Sequence, residues 1–71
     1  MTDWVKLDSA IESLNLNYQL VSLQAGHSHG WLHSMKRRKS EFKAKDVRAL
    51  SKILGFNDEE TEIVFFATNV D

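Results

Sequence analysis

Three histidines crowd one short stretch of the chain, His27, His29 and His33. An imidazole can ligate a metal, serve as a general base, or make single hydrogen bonds as donor or acceptor. His29 and His33 are four residues apart, the spacing that puts two ligands on one helical face. Zinc needs a third and a fourth ligand, and the chain has no cysteine and no glutamate in an HExxH register. No metal and no other cofactor is therefore expected. Ser28 and Ser34 lie beside these histidines, but nothing in the pattern forms an activated nucleophile or a deep pocket, so no enzyme is expected. What remains for His29 and His33 is single hydrogen bonds as donors, with His27 a partly buried capping or packing residue.

The second chemical feature follows directly. Lys36, Arg37, Arg38 and Lys39 are consecutive, in a stretch from 27 to 54 that sets eight cations against two carboxylates. That stretch carries +6, while residues 1 to 26 carry −2 and residues 55 to 71 carry −5, for a net charge of −1. A basic segment inside a near-neutral chain suggests one phosphate-facing side, because local field rather than total charge steers a polyanion. The alternative is a solvated loop with charged flanks. Trp31 is the third feature. An aromatic ring in a small domain is more often core, but with Leu32 and Met35 pointing inward this one is expected sideways or outward, which makes it a candidate anchor for a protein partner.

The elements that must carry these residues are short. Seventy-one residues make one domain, 1–71, with room for a single core, burying only about 60% of the unfolded surface. Apolar residues are 42% and charged residues 27%, ordinary for a globular protein. The absence of cysteine excludes a disulfide scaffold. No basic stretch leads into an apolar run near the start, and no segment reaches membrane-span length, so a cytoplasmic location and no membrane contact are expected.

Apolar residues recur at helical spacing, and five helices are expected. The first covers about Asp3 to Leu14, capped by Thr2 or Asp3, with Trp4, Leu7, Ile11 and Leu14 on one stripe. Asn17 caps the second, about Tyr18 to Gln24, with Leu20, Val21 and Leu23 inward. Gly26 closes it, and Ser28 caps a third helix reaching about Lys36, with Leu32 and Met35 inward. The stretch KRRKSEF reads as a loop, because adjacent cations repel and lack apolar periodicity. The fourth helix covers about Lys45 to Leu54, stopped by Gly55, with Val47, Leu50, Ile53 and Leu54 apolar. Asn57 and Glu60 form a near capping box for the fifth, which has Ile63, Phe65 and Phe66 to bury. One of the two adjacent rings completes the core, and the other is a candidate homodimer or partner surface.

The segment LNYQLVSLQAGHSHGWLHSM resembles the helix-turn-helix of the Cro/CI-type, lambda repressor-like DNA-binding family. Ala25 and Gly26 occupy the turn, Ser28 the cap two residues later, and Leu32 and Met35 the apolar positions four and seven beyond it. Val21 stands inward on the preceding helix, and VRALSKILGF resembles the family's fourth helix with its closing Leu-Gly-apolar triplet. The resemblance runs over about residues 3 to 66, with the helix-turn-helix unit at about 17–36. It implies an all-α, compact five-helix lambda repressor-like domain. It also implies that Ser28, His29, Gly30, His33 and Ser34 face DNA bases and nearby phosphates, while Lys36, Arg37, Arg38 and Lys39 grip the backbone.

The departures from the family pattern matter as much. None of Gln, Arg or Asn, the bidentate base readers, stands at His29, Gly30, His33 or Ser34. Ser22 replaces a small apolar residue where the two helices touch, and His27 replaces an aliphatic one. The resemblance therefore implies a small transcriptional regulator of a phage-type genetic switch in a bacterial host cell. It would bind double-stranded DNA weakly and act together with a partner repressor. The competing expectation is an antirepressor that binds the phage repressor through the same face, with Trp31, His29 and His33 in contact, and blocks its DNA binding.

Overall fold

A computed structural model describes residues 1–68, and these form five helices with no strand among them. Asp71, counted above in the acidic C-terminal segment, lies outside the described residues. Helix α1 is Trp4–Ser13, α2 Tyr18–Gln24, α3 Trp31–Arg38, α4 Ala44–Leu54 and α5 Asp58–Phe65.

Asp3 caps α1 by accepting the Lys6 amide at 3.1 Å, and Leu7 and Ile11 enter the core. Leu14 does not; it is 48% exposed. The stripe stops because Asn15 turns left-handed at φ 56°, which lets the Leu16 amide donate to the Ile11 carbonyl at 3.1 Å. That closure satisfies the last carbonyls of the helix and packs Leu16, rather than Leu14, against the core. Asn17 then caps α2 through the Leu20 amide, as expected from its type.

On α2 the inward pair is Val21 and Ser22, both fully buried, while Leu20 and Leu23 stay 44% and 57% exposed. The helix has only seven residues, so it turns just one narrow edge toward its neighbours. Gly26 ends it at φ +85°, a conformation that costs glycine little, and the His27 amide closes on the Ser22 carbonyl.

Helix α3 starts later and ends later than its sequence suggests. Ser28 makes no cap; Gly30 is the N-cap and offers no side chain. One N–H group that the helix start leaves without a helical partner is served instead by Ser22, whose buried hydroxyl accepts the Leu32 amide at 3.0 Å. At the other end, Lys36, Arg37 and Arg38 form the last helical turn rather than a loop. Cations there oppose the partial negative charge of the helix end, and Lys and Arg are good helix formers, which together outweigh their mutual repulsion. Lys39, left-handed at φ 53°, closes the helix as Ser40 donates to the Met35 carbonyl.

Helix α4 buries Val47, Leu50 and Leu54, with Ile53 partly covered, and Gly55 ends it at φ +73°. The capping box of α5 is complete, since Asn57 accepts the Glu60 amide and Glu60 accepts the Asn57 amide. Val64 and Phe65 face inward; Ile63 and Phe66 remain exposed. The inward edge of α5 therefore runs through Thr61, Val64 and Phe65, with Thr61 donating to Ser51 of α4 at 2.8 Å. Phe65 sits edge-on to Phe42 and Phe56, and the Asp3 amide donates to the Val64 carbonyl, tying α1 to the end of α5. No helix among the described residues is long and apolar enough to cross a membrane.

Candidate nucleic-acid interface

Gly26 holds the chain in the tight turn that brings α3 back against α2, and Leu32 and Met35 pin the inner side of α3. The outer side is left to polar residues. Ser28, His29 and Gly30 form an exposed turn ahead of the helix, with the Ser28 carbonyl accepting the Trp31 amide. His29 and His33 consequently do not share a helical face, because only His33 is in the helix. His33 is exposed, with its ring edge-on to Tyr18 at 5.7 Å, and Ser34 is half-buried. Among the described residues, no three His, Asp or Glu side chains converge as metal ligands.

His27 is built into the fold. Its Nε2 lies 2.8 Å from the carboxylate of Asp46, itself only 6% exposed in the first turn of α4. An ionised carboxylate only accepts, so the imidazole N–H donates. Its ring stacks on Trp31 at 3.9 Å between centroids, with the planes 8° apart. Trp31 also tilts against Phe42 at 5.6 Å, so its ring is a half-buried wall lying off the inner side of α3. The reason is His27, which covers the face of the indole that would otherwise meet water.

The four consecutive cations divide by their partners. Lys36 Nζ bonds the Asp8 carboxylate of α1 at 2.7 Å and lies 5.9 Å from the Tyr18 ring centroid. Tyr18 donates its hydroxyl to the other Asp8 oxygen. Burial, then the charge and hydrogen bond of Asp8, push the Tyr18 phenol up to about 12, and the same carboxylate raises Lys36. Arg38 leans on the Met35 sulfur at 3.7 Å. Among the described residues, Arg37, Arg38 and Lys39 form no ion pair, and neither do Lys43, Lys45, Arg48 and Lys52.

Arg37 lies one turn beyond His33 on the exposed side of α3, so the two share an edge. Around the corner, Arg38, Lys43 and Lys45 join His27, Trp31 and Asp46 in lining a shallow cleft of about 250 Å³. A larger cleft, of about 500 Å³, lies between the start of α1 and the Lys36–Glu41 segment. Its walls are Trp4, Val5 and Met1 with Lys36 and Lys39 at the rim, and the smaller, more polar cleft has the denser set of cations.

The surface thus combines an α3 edge of His33 and Arg37 with a cationic flank, and lacks any bidentate base reader at its leading turn. Sequence reasoning missed four contributors. Lys43 and Lys45 appear in the sequence only as part of the basic total. Asp8 and Tyr18 lie on other helices, and no local pattern marks them as partners of α3. Comparison with protein-family models, with curated proteins and with solved structures finds no match to this chain.

Proposed function

We propose that this chain is a small helix-turn-helix regulator of a phage-type genetic switch, with α2 and α3 as the helix-turn-helix of a lambda repressor-like domain. In this reading it binds double-stranded DNA weakly through the His33–Arg37 edge of α3 and the cationic flank, and a partner repressor supplies sequence specificity. The observation that carries the reading is the set of cations without an ion pair among the described residues, Arg37, Lys39, Lys43 and Lys45, at the end of α3 and the start of α4. Cations held in this way neutralise phosphates and fix orientation, whereas discrimination between bases needs Arg, Gln or Asn at the groove-facing turn. His29, Gly30, His33 and Ser34 supply at most single hydrogen bonds there.

Titrating the protein against its own switch region, with and without the neighbouring repressor, at two salt concentrations tests this. The expected result is weak, salt-sensitive and sequence-indifferent binding alone, and a tighter ternary complex with the repressor. Absence of binding at low salt would refute it.

A second reading is supported by Leu20 and Leu23, exposed on α2 one turn apart. Exposed leucines contribute nothing to a phosphate contact and suit a protein partner. The chain would then be an antirepressor whose α2–α3 face covers the repressor's DNA-binding surface. In the same titration the repressor would leave its operator as this protein is added.

A further inference from the structure

We infer that Asp8 is an internal competitor for phosphate, which pairs with Lys36 and so withholds one cation of α3 from DNA. The inference rests on the DNA reading above and assigns a restraint on affinity within that same surface. Lys36 projects from the last turn of α3, yet its ammonium is held at 2.7 Å by a carboxylate on α1. Asp8 is not free to swing away, because Tyr18 of α2 donates to its second oxygen. Three helices thus meet in one polar knot, with the lysine also lying over the tyrosine ring.

The pair is wet, with the lysine side chain 45% and the aspartate 35% exposed. An ion pair of this kind can be exchanged for another anion, but the exchange returns little, since one carboxylate must be given up for each phosphate gained. The neighbours Arg37 and Lys39 form no ion pair among the described residues, so the restraint falls on Lys36 alone. The raised Tyr18 phenol fits a hydroxyl that stays protonated as the donor to Asp8. A weak nucleic-acid surface is then a consequence of wiring between helices as well as of missing base readers.

The test uses Asp8→Asn, which removes the charge but keeps an acceptor for the Tyr18 hydroxyl. Affinity for a duplex of arbitrary sequence is measured over a range of salt, alongside Lys36→Met, the double variant and Arg37→Ala. Asp8→Asn should bind about two- to fivefold more tightly at low salt. Its log–log salt slope should steepen by about 0.9, one further phosphate contact. The double variant should return to the wild-type affinity, and Lys36→Met alone should change it by less than about twofold, because the lysine is already silent. Wild-type affinity and slope in Asp8→Asn, together with weakened binding in Arg37→Ala, would overturn the inference and leave the DNA reading standing. A gain that persists in the double variant would also overturn it, since Asp8 would then act by general repulsion. If no variant binds duplex at low salt, both the inference and the DNA reading fall.

Discussion

Ser22 offers the sharpest test of how α3 is held. The hydroxyl is fully buried and accepts the Leu32 amide at 3.0 Å, where an N-cap side chain would ordinarily serve. Ser22→Ala removes one oxygen, opens little space, and leaves that amide buried with no partner. An unsatisfied buried donor costs about 1–3 kcal/mol, against about 0.5–1.5 kcal/mol for the net worth of an average hydrogen bond. For a domain of this size each kcal/mol lowers the melting temperature by about 4–8 °C. Ser28→Ala is the control. Ser28 is exposed and its side chain caps nothing, so its loss should stay within about 0.5 kcal/mol. Thermal melts and urea titrations of both variants at constant m-value decide the matter. A Ser28 variant that loses about 1 kcal/mol while the Ser22 variant matches wild type would restore Ser28 as the cap and refute the cross-helix account.

Replacing Arg37 and Arg38 together with Ala should weaken DNA binding about equally on all sequences and lower the salt slope by roughly 1 to 2, as followed by titration at several salt concentrations. The chain has one tyrosine, so tyrosinate absorbance reports Tyr18 alone, and its midpoint should fall near 12 in the folded protein. Because the folded value lies above the ordinary value near 10, this hydroxyl stabilises the fold fully below pH 10, and that stability is lost as pH rises toward 12, which alkaline denaturation melts should register. His27→Ala leaves the buried Asp46 carboxylate without its partner and uncovers a face of Trp31; a loss of at least about 1–3 kcal/mol in chemical denaturation is expected, with a shift in tryptophan emission.

Much of this fold is legible because local chemistry decides it. Asp3, Asn17 and Asn57 cap where their side chains can reach back to an amide, and Gly26 and Gly55 stop helices where a left-handed residue is needed. Leu7 and Ile11, Leu32 and Met35, and Val47, Leu50 and Leu54 recur at spacings that a helix turns to one side. The errors fall where a distant residue outbids the local one. Ser28 has the type of a cap, but the helix begins after Gly30, and Ser22 of the preceding helix serves the Leu32 amide in its first turn. Lys36, Arg37 and Arg38 look like a repelling loop until the end of a helix stands beneath them. Leu14 and Ile63 fit their apolar stripes by type, yet Leu16 and Val64 take the inward places.

The candidate surface is legible to a smaller degree for a related reason. Its cations are visible as a charge excess, but which of them are free depends on contacts between helices. Lys36 and Arg37 are adjacent in the chain, and among the described residues only the first is met by a carboxylate. Trp31 is the clearest instance. From its neighbours Leu32 and Met35 it ought to point outward, and in the fold it does lie off the inner side of α3. What covers it is His27, from the turn before the helix, braced by Asp46 from the helix after it. His27 is the packing residue its place in the sequence suggests, and it fixes the wall of the cleft that Arg38, Lys43 and Lys45 surround. Stability and binding are coupled at this point: a change to His27 or Asp46 made to probe recognition also alters the support of α3, so effects on binding there require a matched measurement of folding.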